Sequence, residues 1–305
     1  MDYTLDPHEP VSREVERVVG SLVEDGLDHL DALAAEDRHE AVHEVRKRCK
    51  EVRATLRLVR TVLPTYSEEN AHYRDAARRL SRVRDAQALV ETFDDHVTPA
   101  VERHDRLDGG RLDTVRSTLV DRRDDLAAEM DLDARLAAVE RDLHEGLARV
   151  DSLPVATDGF DAVAGGLRKS YRRGRNRMAD AYEEPTTEAF HEWRKRVKYH
   201  RYHCYLLRPV WQTPMKARRN QLKELSDLTG DEHDLAVFVE TMHDEDLFDA
   251  ETRETLDTVV SGRRGELRRA SRPIGERLFV EEPDDLVDRF GGYWYATVEY
   301  DPDAS

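Results

Sequence analysis

His43-Glu44-Val45-Arg46-Lys47-Arg48-Cys49-Lys50-Glu51-Val52-Arg53 recurs later in the chain as His191-Glu192-Trp193-Arg194-Lys195-Arg196-Val197-Lys198-Tyr199-His200-Arg201. Seven of the eleven positions are identical, at a constant offset of 148. A second pair follows. Asp85-Ala86-Gln87-Ala88-Leu89-Val90-Glu91-Thr92 aligns with Asp234-Leu235-Ala236-Val237-Phe238-Val239-Glu240-Thr241 at an offset of 149. Two motifs in one order at nearly one offset imply duplication of a whole helical unit. The linker from Ser152 to Gly159, which contains Pro154, is the expected boundary.

Working outward, apolar residues recur at helical spacing through most of the chain. The pattern predicts helices over 11–35, 38–62, 67–95, 111–129 and 132–150, then 158–182, 187–208, 214–243 and 250–279. Ser12, Ser67 and Thr187 stand where N-caps belong, and Pro64, Pro154 and Pro209 stand where helices should stop. Asp108-Gly109-Gly110 reads as a loop. The expected fold is therefore all-α: two pseudo-symmetric antiparallel four-helix bundles around a basic cleft. Residues 1–155 form the first repeat and 156–280 the second. Residues 281–305 make an acidic, aromatic tail with no assigned role.

A helix turns about 100° per residue, which places the charges of the repeated motif. His43, Arg46, Lys50, Arg53, Arg57 and Arg60 fall on one arc, with Lys47 just beyond it. Val45, Cys49, Val52 and Leu56 cluster beside them, so the basic stripe borders the buried face instead of opposing it. The second copy repeats the plan with His191, Arg194, Lys198, Arg201, Tyr205 and Arg208, while Trp193, Val197 and Cys204 face the core. Like charges one turn apart repel each other, and something must compensate them: neighbouring acids or a bound anion. Further cations fall where a groove could use them. Arg168, Arg172 and Arg175 share one helical face, Lys195 follows Arg194, and Lys216, Arg219 and Lys223 form another face. Arginine offers a planar fork to phosphate oxygens and lysine a point charge.

The formal charge of −17 argues at face value against an anionic ligand. Seven lysines against 41 arginines, with abundant aspartate, give a composition resembling that of proteins from salt-loving archaea. At about 1 M salt the Debye length is near 3 Å, so distant acids would repel a ligand weakly while direct arginine–phosphate contacts persist. No apolar run is long enough for a membrane span, and the N-terminal MDYTLDPHEP lacks the features of a secretion signal. The expected location is the cytoplasm. Cys49 and Cys204 lie far apart in apolar stretches and read as buried small hydrophobes.

The motifs from His43 to Arg53 and from His191 to Arg201 resemble the signature of CHAD domains, the conserved-histidine α-helical domains. Leu80-Ser81-Arg82-Val83-Arg84-Asp85 and Thr229-Gly230-Asp231-Glu232-His233-Asp234 resemble a further segment of that family, and Arg168 to Arg177 resembles its basic helix. The resemblance spans residues 40–245. It implies binding of inorganic polyphosphate and association with polyphosphate granules. Carried over by position, the anion contacts would be His43, Arg46, Lys50, Arg53 and Arg57, with His191, Arg194, Lys198 and Arg201. Ser81 stands where the family has Gly, and Tyr205 stands opposite Arg57. The first helix is acidic where its counterpart is basic, so the ligand surface is expected to lean towards the second half. The ExExK signature of an attached triphosphate-tunnel enzyme is absent.

Other readings remain open at this point. His43 and His191 either contact an anion or bond a neighbouring carboxylate, and they lack partners at metal-ligand spacing. Asp85 and Asp234 read as partners that orient arginines. A histidine phosphotransfer module, a nucleic-acid binder and a purely structural protein are the rivals of a polyphosphate scaffold. No P-loop, HExxH or nucleophile–base pair supports hydrolysis, so the expectation is a protein without catalysis, cofactor or metal. Sulfate or phosphate is expected to be able to occupy the same site.

Overall fold

Val45, Cys49, Val52 and Leu56 recur three and four residues apart, and each is essentially inaccessible to water. Burying that stripe folds the segment as a helix and fixes which face points inward. The same holds for Phe190, Trp193, Val197 and Cys204 in the second copy. The computed structural model describes residues 3–31, 38–104 and 109–299. The first half comprises α1 (Val11–Asp31), α2 (Arg38–Leu58), α3 (Tyr66–Arg79), α4 (Ser81–Thr92), α5 (Thr98–His104), α6 (Gly109–Glu129) and α7 (Leu132–Val150). The second comprises α8 (Gly159–Glu183), α9 (Thr187–Leu206), α10 (Gln212–Asp244), α11 (Ala250–Leu278) and α12 (Pro283–Glu299). The described residues contain no strand.

α1, α2, α3 and α7 pack together, as do α8, α9 and α10, with α11 on α10 and α12 laid on α8. Two apolar cores result. The larger joins the inner faces of α1, α2, α3 and α7 to those of α8, α9 and α12. The smaller joins Leu89, Phe93 and Val115 of the first half to Leu235, Phe238 and Val260 of the second. Both cores therefore cross the midpoint of the chain.

The N-terminal segment ties the two basic helices together. The Tyr3 hydroxyl donates to the Glu51 carbonyl of α2 at 3.1 Å, and its ring packs against Tyr202 and Tyr205 of α9. The Leu5 amide donates to Leu206 O at 2.8 Å. His203 of α9 lies fully buried with Nε2 3.2 Å from the Ala54 carbonyl of α2, so that nitrogen carries the proton. Asp158 caps two helices at once, its carboxylate accepting from Val11 N at 2.7 Å and Gly159 N at 2.8 Å.

Some sequence expectations shift. The helix foreseen over 67–95 breaks at Leu80, whose backbone leaves the helical region. There the Ser81 hydroxyl bonds the Arg78 carbonyl at 3.0 Å and Arg135 bonds the Arg79 carbonyl at 3.1 Å, so side chains take acceptors that the helix ladder would use. α4 then runs into a π-turn at Phe93–Val97. The α3 N-cap is Thr65 and the α9 N-cap is Thr186, each earlier than expected. Of the foreseen loop at Asp108-Gly109-Gly110, Asp108 lies outside the described residues, and both glycines already belong to α6. Residues 32–35 of the first foreseen helix also lie outside them. The tail after Glu281 is not featureless: Leu286, Phe290 and Trp294 of α12 are buried, Trp294 against Phe160 of α8.

α8 meets α2 with almost no space between backbones. A Cβ on Gly166 would lie 1.7 Å from the Leu58 carbonyl oxygen, and one on Gly165 would lie 2.5 Å from Thr61 Oγ1. Gly166→Ala should therefore force the two helices apart and cost about 3 kcal/mol, read as a fall in the thermal midpoint. Gly262→Ala, on α11 with nothing within 4 Å of its Cβ, should leave the midpoint unchanged or raise it. Equal effects of the two substitutions would contradict the crossing.

Candidate anion-binding cleft

Where α2 crosses α9, the residues beside their buried stripes face a cleft of about 500 Å³. α2 supplies His43, Arg46 and Lys50, and α9 supplies His191, Arg194 and Lys198. α4 adds Arg84 and Asp85, and α10 adds His233 and Asp234. Residues related by the sequence offset thus sit on opposite walls. Five cationic side chains line the cleft against two carboxylates.

The carboxylates neutralise the arginines loosely. Arg46 Nη2 lies 4.0 Å from Asp85 Oδ1, and Arg194 Nη2 lies 3.7 Å from Asp234 Oδ1. Arg46 Nη1 donates to the Ala77 carbonyl at 2.5 Å, which fixes its fork. Arg84 Nε donates to His43 Nδ1 at 3.1 Å, and Arg84 Nη2 bonds Glu91 at 2.7 Å. His43 Nδ1 must then offer a lone pair, leaving its proton on Nε2. On the other wall His191 Nδ1 faces His233 Nδ1 at 3.1 Å, so at least one of these rings is neutral. Arg46 Nε, Arg84 Nη1 and Arg194 Nε are buried without an acceptor. An unpaired buried donor on a charged group typically costs about 1–3 kcal/mol or more.

Among the described residues, neither Lys50 nor Lys198 has a carboxylate within ion-pair distance. Enclosure by the cleft walls lowers the pKa of Lys50 to about 8, with Arg46, Arg194 and Arg84 adding repulsion. Enclosure likewise lowers Lys198 to about 7, with Arg194 and Lys50 as the repelling neighbours. Lys50 still reaches water at the cleft mouth, whereas Lys198 is half-buried, consistent with the larger shift at Lys198. Burial, then Arg84, holds His43 below the usual imidazole range. Burial, then Lys195 and Arg194, does the same for His191, and burial followed by Arg194 lowers His233. At neutral pH the histidines therefore add no charge.

The remaining cations from the sequence stand elsewhere. Lys47 and Lys195 turn to Glu44 and Glu192 on their own helices. Arg53 bonds Asn70 at 3.2 Å beside the cleft. Arg57 is buried at 7 % exposure, held by Asn70 and stacked on Tyr199 at 3.8 Å, so it supports the wall without forming the rim. Arg201 approaches Ser226 at 3.5 Å. Arg168 and Arg175 face α12, paired with Asp284 and Glu282, because α12 packs on that side of α8. Arg172 is exposed. On α10, Lys216 is exposed, Arg219 lies over the Tyr205 ring at 4.7 Å, and Lys223 pairs with Asp227. Sequence reasoning did not single out Arg84 and His233. They precede Asp85 and Asp234 at the same offset, but their different side-chain types hid the correspondence.

The CHAD domain family model matches residues 18–243. Among solved structures, the CHAD domain from the plant Ricinus communis superposes with a TM-score of 0.63 at 17% identity, covering 97% of this chain and 95% of that one. PptA from Streptomyces chartreusis superposes with a TM-score of 0.58 at 16% identity, covering 90% of this chain and all of that one. At such identities the structures speak to fold alone. No curated protein sequence matches the chain.

The electrostatic account has a direct check. In Lys50→Met the Lys198 ammonium loses a repelling neighbour, so it should titrate above about 7. Lysine side-chain NMR across pH 6–10 reads this. An unmoved Lys198 titration would show that the two lysines do not share a field.

Proposed function

The chain belongs to the CHAD domain family, and from that membership and the chemistry of its cleft we propose that it binds inorganic polyphosphate without transforming it. The observation that carries the reading is the pair of lysines, Lys50 and Lys198, that face one cleft with three arginines and have, among the described residues, no carboxylate within ion-pair distance. In a protein with 65 acidic and 48 basic residues, acids are abundant enough to have neutralised them. A linear chain of closely spaced phosphates brings the missing negative charge at the required density. Arg46 and Arg194 meet phosphate oxygens with their forks, and Lys50 and Lys198 act as point charges between them. Asp85 and Asp234 orient the forks. The histidines act as neutral hydrogen-bonding groups.

Within this reading the protein works in the cytoplasm, at polyphosphate granules. No helix among the described residues is long and apolar enough to cross a membrane. Free sulfate or phosphate occupies the cleft weakly, because one ion engages only part of the cation set.

Calorimetric titration with long-chain polyphosphate at high salt tests the proposal. Wild type should bind, and the combined variant Arg46→Glu, Lys50→Glu, Arg194→Glu and Lys198→Glu should lose at least about a hundredfold in affinity. Absence of wild-type binding, or an unaffected variant, refutes the reading. Displacement by DNA or RNA at equal phosphate concentration would assign the cleft to nucleic acid instead. Stoichiometric acid-labile phosphate on His43 after incubation with a phosphoryl donor would make the protein a phosphotransfer module.

Binding should also take up protons. A polyanion favours the charged form of both lysines and lifts their pKa values from about 8 and about 7. Affinity should then be highest below pH 7 and fall as the pH rises through 7–8. Titrations in buffers of different ionisation enthalpy measure the proton count directly. Zero uptake at pH 8 would contradict neutral lysines in the empty cleft.

A further inference from the structure

α8 carries a run of basic residues, and its faces are treated differently. The arginines turned to α12 and along α8 itself are matched to acids: Arg168 with Asp284, Arg175 with Glu282 and Arg177 with Asp180. Lys169, Arg173 and the exposed Arg172 are not. Among the described residues neither Lys169 nor Arg173 has a carboxylate within ion-pair distance, and the same is true of Arg60, in the turn after α2. These three belong to one place. Gly165 and Gly166 are the points where α8 touches α2, at Thr61 and Leu58. Lys169 and Arg173 follow on the same face of α8, one and two turns further on. Arg60 directly precedes Thr61 in the turn that follows α2.

The influences among these groups agree with that placement. Arg60 is the largest cause lowering the pKa of Lys169, followed by burial and Arg173. The Arg60 guanidinium is lowered by burial and, among charges, by Arg173, Arg57 and Arg196. Their neighbours hold the cluster in shape. Arg60 lies over the Tyr66 ring at 5.2 Å, and Arg57 stacks on Tyr199 at 3.8 Å. The N–H groups of Arg57 are engaged by the Arg53 carbonyl and Asn70, which leaves those of Arg60, over its ring, for an oxyanion. Lys169 and Arg173 are exposed and Arg60 is half-exposed, so a ligand can reach all three.

We propose that Arg60, Lys169 and Arg173 form a second anion subsite, at the α2–α8 crossing, which holds a distal stretch of a linear polyphosphate whose proximal stretch lies in the cleft. Arg53, one turn beyond Lys50 on α2, bridges the two. From His43 to Arg57 the stripe runs about 21 Å along α2 at 1.5 Å per residue, and Arg60 follows in the turn after Leu58. Short phosphates therefore engage the cleft alone, and long chains engage both places. On the α9 side the residue at the offset of Arg60 is Arg208, which lies over the Tyr205 ring at 5.4 Å, while Tyr205 packs against Tyr3. In this proposal the polymer leaves the cleft towards α8, where Lys169 and Arg173 stand beside Arg60. This subsite rests on the polyphosphate reading of the cleft.

Calorimetry with tripolyphosphate and with long-chain polyphosphate tests it, using Lys169→Glu/Arg173→Glu and, as a control for overall charge, Arg103→Glu/Arg269→Glu at exposed positions on α5 and α11. The subsite variant should lose about tenfold or more in affinity for the long chain and keep its affinity for tripolyphosphate. The control should change neither by comparable amounts. An unchanged long-chain affinity, or equal losses for both ligands or for both variants, overturns the subsite while leaving the cleft reading intact. If wild type binds neither ligand, the cleft reading falls and the subsite with it.

Discussion

Repulsion among Lys50, Lys198 and the three arginines beside them is the constraint around which the protein is built. These groups would separate if their helices were free to do so. They are not free, because each lies next to side chains that are wholly withdrawn from water, such as Val45 and Cys49 on α2 and Trp193 and Val197 on α9. Burying a large apolar side chain contributes about 1.5–3 kcal/mol, so a handful of them outweighs the crowding. Local ties add to this at the places where α2 and α9 approach, through Tyr3, Leu5 and His203. Strain between charges is thereby stored in the empty cleft. The sign of its pH dependence follows. Lysines held near 7 and 8 bind fewer protons in the folded chain than in the unfolded chain, up to the ordinary lysine range. The free protein should therefore gain stability as pH rises through that window.

Elsewhere the structure neutralises its arginines with care. Glu232, 2 % exposed, accepts from both Arg264 and Arg268 and locks α10 to α11 immediately beside His233 and Asp234. Arg48, next to the cleft residues in sequence, is enclosed by Asp25, Glu44 and Glu51. Arg149 is held by Glu69. Against those matched arginines the cleft is undercompensated, with five cationic side chains facing two carboxylates in a protein whose overall charge is −17. Acids close the internal joints at Glu232, Glu69 and Asp25, while in the cleft the cations outnumber them.

Much of this was legible in the sequence because it depends on helical periodicity. The apolar stripe of α2 fixes the direction of Arg46 and Lys50, and the offset of 148 assigns Arg194 and Lys198 to the facing wall. What stayed hidden depends on which helix packs against which. Arg168 and Arg175 share a face with cationic neighbours, but nothing local indicates that α12 returns with Asp284 and Glu282 to cover it. Arg57 continues the α2 stripe by angle, yet the approach of Tyr199 buries it. The break at Leu80 is decided by hydroxyl and guanidinium groups competing for carbonyls, one of them from Arg135 on a different helix.

The two shared cores have a mechanical consequence. Proteins that close on ligands usually do so by turning one self-contained lobe against another. Here Phe93 of the first half stacks on Phe238 of the second, and similar cross-half packing underlies the basic helices. Neither wall of the cleft owns a complete interior, so opening it as a hinge would expose apolar surface on both sides at once. The separation of the two walls is accordingly set by interiors that both halves share, and the cleft is built as a rigid joint and not as a jaw.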